Sequence, residues 1–358
     1  MKQIFSEITE FRAELAAWFE RHGRRLPWRA TNDPYAILVS ELMLQQTQVA
    51  TVLGYYQRWF ECFPTVRDLA SAAESEVLHA WQGLGYYKRA RNLHKCAKII
   101  VAERSEQFPS AVDELTKLPG IGRYTAGALA SFAFNLPAPI VDANIERAVS
   151  RLLNLKEPVD QPNGRRIIWD FASRYVEGPN PRLLNSALME LGATVCSPRK
   201  PLCVICPVRS FCAATEPESL PRKRARQKIE NKTESHFLAL KEGRILLQQN
   251  LGKRWQGLWS LPALAPNSKS SEPVDLNLPL LSLSYPITRF LVRLNVYACE
   301  PPAILSIGQE WHKLDSLESI PMPSPHRRAA EETCRRIGVS AGRRSRIVSK
   351  APPAPPER

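Results

Sequence analysis

Through the first ~215 residues, apolar positions recur at intervals of three and four, the spacing that builds one face of a helix. The pattern predicts helices at 5–19, 35–45, 66–81, 88–103, 111–117, 124–134, 145–153, 165–176 and 183–191, with Pro and Gly punctuating the joins. The periodicity then stops. Residues 217–234 carry Arg222, Lys223, Arg224, Arg226 and Lys228 among almost nothing apolar, which predicts a basic linker. Short strand-like runs follow at His236–Leu240, Arg244–Gln248, Gly257–Leu261, Leu280–Leu283 and Phe290–Val296, and they predict a second, smaller β-rich domain over 235–328. The Arg-rich end, closing on APPAPPER, predicts a disordered tail over 329–358.

Length agrees with this division, because 358 residues exceed what a single core normally serves. Charge adds a partner. With 49 Lys+Arg against 35 Asp+Glu, the net charge of +14 attracts polyanions and predicts binding that weakens with salt. There is no apolar run long enough to span a bilayer, and the acidic amphipathic start MKQIFSEITEFRAEL lacks a signal-peptide core. A cytoplasmic protein is therefore expected, with no membrane partner.

Four cysteines sharpen the chemistry. Cys196, Cys203, Cys206 and Cys212 are separated by six, two and five residues, so one compact loop can bring four thiolates around a [4Fe–4S] cluster. Tetrahedral zinc is the plainer alternative, but structural zinc sites built from four cysteines usually pair two C-x2-C knuckles, and only one is present. Cys62, Cys96, Cys299 and Cys334 show no paired spacing.

Two carboxylates sit in contrasting settings. Glu41 stands four residues after Ile37 and three before Leu44, on the apolar stripe of a helix. A carboxyl there is buried, has a raised pKa, and suits a general acid near neutral pH. Asp142 precedes a helix with apolar residues at 145, 149, 152 and 153, where N–H groups and the helix dipole favour its anion. One neutral and one charged carboxyl is the arrangement expected for breaking a glycosidic bond. Between them lies Leu118-Pro119-Gly120-Ile121-Gly122-Arg123-Tyr124, a hairpin whose glycines Gly120 and Gly122 let backbone amides approach a phosphate. Each feature alone has a plainer reading: a buried Glu paired to an Arg, an N-cap, a tight αα turn.

Together, LPWR at 26–29, SELMLQQTQV at 40–49, GLGYYKRARNL at 83–93, LPGIGRYTAGAL at 118–129, VDANIERAVSR at 141–151, NSALMELGATVC at 185–196 and the cysteine loop resemble the MutY-type adenine DNA glycosylases of the endonuclease III, helix-hairpin-helix superfamily. The resemblance runs from about residue 8 to about 326. It implies a mainly α catalytic region over 1–216, with a six-helix barrel module at about 28–137 and an iron–sulfur module built from 1–27 and 138–216. It also implies a smaller α+β, Nudix-like domain that recognises 8-oxoguanine. The expected partner is duplex DNA containing A·8-oxoguanine or A·G mispairs, bound by a nucleoid-associated monomer whose cofactor is one [4Fe–4S] cluster.

Carried over by position, Glu41 matches the acid that protonates adenine, Asp142 the carboxylate that stabilises charge at C1′, and Asn144 the amide beside it. Gln46 matches a wedge into the duplex, and Thr47, Leu84 and Tyr86 match contacts around 8-oxoguanine. Arg24, Leu26, Trp28 and Glu190 match the wall of the adenine pocket. Tyr124 stands where strand-cutting relatives place a Schiff-base lysine, and a phenol forms no imine, which implies a monofunctional enzyme. In the second domain Arg254-Trp255-Gln256-Gly257-Leu258-Trp259-Ser260-Leu261-Pro262 carries the resemblance, without the metal motif of Nudix hydrolases. Ile287-Thr288-Arg289 stands where the family commonly has Phe-Ser-His, and 263–280 reads as shorter and less regular than a family helix.

Two rivals predict different products. A bifunctional endonuclease III-like pyrimidine-lesion glycosylase would cut the strand, and a noncatalytic iron–sulfur DNA-binding protein would release no base.

Overall fold

The structure, a computed structural model, describes residues 6–224, 229–252, 254–264 and 278–338. The chain divides into two compact units, Met1–Arg226 and Gln227–Arg358.

The first unit is helical throughout its described residues. Its helices are α1 (Ile8–His22), α2 (Pro34–Leu44), α3 (Val49–Cys62), α4 (Val66–Ser71), α5 (Glu74–Ala80), α6 (Lys88–Arg104), α7 (Val112–Thr116), α8 (Arg123–Phe132), α9 (Ala143–Leu152), α10 (Pro162–Val176) and α11 (Pro181–Glu190). Local chemistry sets many of the starts. Asp33 caps α2 by accepting from the amides of Tyr35 and Ala36, with Pro34 at the first position, and Asn180 and Pro181 open α11 the same way. A capping box of Thr65 and Asp68 opens α4, and α4 and α5 break at Ala72–Ala73 where one helix was expected over 66–81.

Helix α2 is buried over nearly all its length and packs against α3, α6 and α8. A second core gathers Phe11, Leu15 and Trp18 of α1 with Ile145 and Val149 of α9, Phe171 and Tyr175 of α10 and Leu188 of α11. The beginning of the chain thus packs on its later helices. Phe11 meets Phe171, Tyr175 and Phe211 edge-on at centroid distances of 6.1, 5.6 and 5.6 Å. Truncating it to Ala should cost about 3–5 kcal/mol.

The second unit holds β1 (Glu230–Leu238), β2 (Leu240–Lys241), β3 (Arg244–Gln249), β4 (Trp259–Ser260), β5 (Leu281–Ile287), β6 (Phe290–Ala298), β7 (Gln309–Lys313) and α12 (Ser324–Arg336). One sheet runs β1-β6-β5, with β1 parallel and β5 antiparallel to β6. In the other, β3 pairs antiparallel with β2, β4 and β7. Ala329, Ala330 and Cys334 of α12 join Leu238, Leu281, Val292, Leu294 and Val296 in one core.

Several elements differ from the pattern-based expectation. Helix α3, strand β7 and helix α12 lie where no element was predicted, and β1 begins at Glu230, inside the stretch read as linker. Residues 222–224 are anchored to the helical unit: Val159 N–H donates to the Arg222 carbonyl at 3.0 Å, Lys223 pairs with Glu146 at 2.6 Å, and the Arg224 amide donates to Asp160. Helix α12 occupies the start of the stretch expected to be disordered. The rest of that stretch, 339–358, and most of the irregular segment, 265–277, lie outside the described residues.

Candidate active site

A cavity of about 870 Å³ opens in the helical unit, and twelve of the residues singled out from sequence line it: Arg24, Leu26, Trp28, Glu41, Gln46, Thr47, Gly120, Gly122, Tyr124, Asp142, Asn144 and Glu190. They come from the α1–α2 connection, α2 and its end, the α7–α8 hairpin, α9 and α11.

Glu41 is 5% exposed. Burial pushes its carboxyl from the ordinary 4.5 up to about 7. A hydrogen bond from Tyr124 and the charge of Arg29 pull it down, and the charge of Asp142 pushes it up. Tyr124 itself is driven well above its ordinary value, first by burial and then by the two carboxylates, so its phenol is a neutral donor. Near neutral pH Glu41 is poised between a proton carrier and a base.

Asp142 is the N-cap of α9 and accepts from the Ile145 amide at 2.7 Å, while Asn144 Nδ2 donates to its other oxygen at 2.8 Å. Burial raises its pKa, and these donors together with Arg147 act to lower it, with a net shift upward. The sequence reading named only the capping half of this balance. Asn144 is fixed in turn by Arg147, whose Nη2 donates to Asn144 Oδ1 at 2.9 Å and to the Gly192 carbonyl at 2.5 Å. Arg147 Nε donates to the Cys196 carbonyl at 2.8 Å. A chain of hydrogen bonds therefore joins the cysteine loop to the Asp142 carboxylate.

Glu190 is fully buried yet held as an anion. Burial acts to raise its pKa, but bonds from Arg24 (Nε 2.7 Å, Nη2 3.0 Å and the backbone amide 3.1 Å) and from Arg29 Nη2 (2.8 Å) outweigh it, and the net shift is downward. Removing both cations would leave an uncompensated buried charge, at a cost of about 3–5 kcal/mol. Just past Glu190 the helix widens into a π-helical turn, Leu191–Val195. Arg29, Arg147 and Arg182 were not singled out from sequence, although Arg29 and Arg147 lie inside quoted motifs. Arg182 donates to the carbonyls of Arg29 and Thr31 at 2.8 and 2.6 Å and so braces the cavity wall.

Gly120 has φ +78°, and a Cβ there would meet the Cβ of Asn92 at 2.5 Å, so the hairpin needs glycine at this position. Leu84 and Tyr86 do not line the cavity. Leu84 is buried, whereas Tyr86 is 58% exposed with φ +47°. Ile287, Thr288 and Arg289 lie in the second unit at the β5–β6 hairpin. Ile287 pairs with Phe290, Thr288 has φ +51°, and Arg289 pairs with Glu230 at 3.3 Å.

Cys196 follows the π turn, Cys203 opens the 3-10 turn that Cys206 caps, and Cys212 caps a second one. All are free thiols. Burial first, and then the charge of the other three thiols, raises Cys206 to about 11 against a lowering backbone hydrogen bond from Val208. Among the described residues no three His, Cys, Asp or Glu side chains form a group tight enough for one metal ion. Buried Arg151 donates to Cys196 Sγ at 3.3 Å and to the carbonyls of Ser197 and Pro198 at 2.7 and 3.1 Å, supplying positive charge where thiolates would sit. Four free thiols on one loop, with a cation bonded to the first sulfur, are a donor set that suits an iron–sulfur cluster.

A helical fold with a glycine hairpin and paired carboxylates in one cavity defines a class. Residues 39–171 match the family described as "HhH-GPD superfamily base excision DNA repair protein". The chain is 37% identical over 252 residues to the adenine DNA glycosylase of Buchnera aphidicola subsp. Baizongia pistaciae, covering 68% of this chain and 71% of that one. It therefore belongs to the adenine DNA glycosylase family. The rat adenine DNA glycosylase is 45% identical over 218 residues, 58% of this chain, and the match spans 42% of the rat protein's length. Among solved structures, a thermostable thymine-DNA glycosylase superposes with a TM-score of 0.54 at 28% identity, over 58% of this chain and 96% of that one. No helix among the described residues is long and apolar enough to cross a membrane.

Proposed function

We propose that the chain is a monofunctional glycosylase, acting as a monomer at the nucleoid, that takes adenine out of duplex DNA opposite 8-oxoguanine or guanine and hydrolyses its N-glycosidic bond. The observation that carries this reading is the pair of carboxylates in one cavity, Glu41 with a pKa raised to about 7 and Asp142 braced by Ile145 and Asn144.

An adenine cannot react while stacked, so it must be turned out of the helix into the cavity. Gln46 and Thr47, which line the cavity, would fill the gap, and the hairpin amides would hold the backbone. Neutral Glu41 then gives its proton to a ring nitrogen of adenine, so the departing base leaves neutral, a contribution of about 10²–10⁴ in rate. As the bond lengthens, positive charge develops on the sugar, and the fixed Asp142 carboxylate stabilises it without reorganising. Glu41, now an anion bonded to Tyr124, takes the proton of the attacking water. Among the described residues that line the cavity there is no lysine, which supports release of base without strand cutting. Lys117, the nearest lysine in sequence, is engaged by Glu114 and is 67% exposed.

Cys196, Cys203, Cys206 and Cys212 would hold the [4Fe–4S] cluster, which when bound cross-links the loop through metal–thiolate bonds. The second unit is assigned to reading 8-oxoguanine as a Nudix-like domain, with the exposed turn Ile287-Thr288-Arg289 meeting the modified base. Single-turnover excision from an A·8-oxoguanine duplex tests the reading. Glu41→Gln and Asp142→Asn should each lose more than about 10³-fold in rate while still binding the mispair, because the missing interactions belong to the transition state. Near-wild-type excision by either variant would show that it carries no part of the chemistry.

A further inference from the structure

Arg89, on the first turn of α6, is 8% exposed and makes no ion pair among the described residues; its two terminal nitrogens donate to backbone carbonyls, while its buried Nε has no hydrogen-bond partner among the described residues. Nη1 donates to the carbonyls of Leu42, Met43 and Gln45 at 2.6, 3.1 and 2.5 Å. Nη2 donates to those of Leu84 and Gly85 at 2.9 and 3.1 Å. The first three carbonyls end α2, the helix that carries Glu41, where orphaned C=O groups and the negative end of the dipole favour a cation. The other two belong to the turn that carries Leu84 and Tyr86. Trp81 donates to the Gly85 carbonyl at 3.1 Å, and the guanidinium lies 5.3 and 5.7 Å from the ring centroids of Trp81 and Tyr86.

Each of the two turns contains a non-glycine residue in left-handed conformation, Gln46 at φ +57° and Tyr86 at φ +47°. Such residues persist only where surrounding bonds hold them. One rigid fork holds both turns. A lysine ammonium, with three donors radiating from a point, cannot reach carbonyls on both sides as a planar guanidinium does.

We propose that Arg89 is a positioning residue that locks the Gln45–Thr47 turn to the Gly83–Tyr86 turn, so that wedging the duplex and reading the base opposite adenine occur as one coupled event. This rests on the adenine-excision reading for the roles of the two turns, but not for the tether itself.

The test pairs two measurements on wild type, Arg89→Lys and Arg89→Met. In the free protein, amide hydrogen exchange should rise about tenfold or more in peptides spanning 42–47 and 83–87 together, with peptides from α3 and α9 unchanged. On DNA, the single-turnover preference for A·8-oxoguanine over A·G should fall by about tenfold at matched melting temperature. Should Arg89→Met fail to fold, Arg89→Lys, which keeps the charge and the bulk, carries both measurements. Loosening of one turn alone, a rise spread over the whole helical unit, or an unchanged preference with both turns loosened would overturn the proposal. Absence of adenine excision by the wild type would instead overturn the functional reading, and the exchange measurement would still judge the tether.

Discussion

Glu41→Gln should gain stability relative to wild type as pH rises from about 4.5 to about 7. The carboxyl sits buried with a pKa of about 7 against an ordinary 4.5, and a difference of that size corresponds to about 3 kcal/mol. The sign follows from which state binds the proton. Below pH 4.5 the group is neutral folded and unfolded, and its burial carries no electrostatic penalty. As pH rises toward 7 the unfolded chain ionises while the folded chain holds its proton, so stability falls; above 7 the folded form ionises too and the penalty levels off. Glutamine never ionises, and its carbonyl can still accept from Tyr124. Its buried NH2 costs about 1–3 kcal/mol if unpartnered, but that cost is the same at every pH. The urea midpoint of Glu41→Gln relative to wild type should therefore move upward by about 1 M between pH 4.5 and pH 8, taking about 3 kcal/mol per M as the slope. A midpoint difference that stays constant across this range would refute the buried, high-pKa carboxyl and with it the acid role.

Tyr124→Phe removes the hydrogen bond that lowers the Glu41 pKa, so the alkaline limb of the excision pH profile should shift to higher pH; a shift downward would contradict the geometry. Truncation after Arg226, rather than at the predicted start of the linker, should leave a folded helical unit that still excises adenine but prefers A·8-oxoguanine over A·G less strongly, because Leu220 is buried and residues 222–224 are bonded to Val159, Glu146 and Asp160. An unchanged preference ratio would confine recognition to the helical unit. Purified protein should be yellow-brown with about four iron per chain. Stoichiometric zinc with no visible charge-transfer band would overturn the cluster assignment.

The site was more legible in the sequence than the fold around it. Glu41 announces itself by breaking an apolar stripe, and Asp142 by standing where a helix starts. Apart from helix α3, the elements that escaped notice are polar ones whose order comes from partners. Glu230–Glu234 reads as charged linker, yet its backbone pairs residue by residue with Phe290–Leu294 of β6. Gln309–Lys313 is ordered in the same way against β3. Helix α12 buries only one large side chain, His326, beside Ala329, Ala330, Thr333 and Cys334, among arginines and glutamates, and so resembles a solvated tail. Helix α3 opens on Gln48 with no side-chain cap, which leaves no start signal after the QQTQ run. Arg89 was invisible for another reason: in YYKRARNL nothing distinguishes it from Arg91, and only the converging carbonyls of two distant turns reveal its role.

The most direct test of the account is product analysis after one turnover on an A·8-oxoguanine duplex labelled in the adenine strand. The account predicts free adenine in stoichiometric amount, a strand that stays intact until heated with alkali, and no covalent adduct on borohydride treatment. Strand cleavage without alkali, or efficient borohydride trapping by the wild-type protein, would contradict it, because no described residue lining the cavity carries an amine that could form an imine.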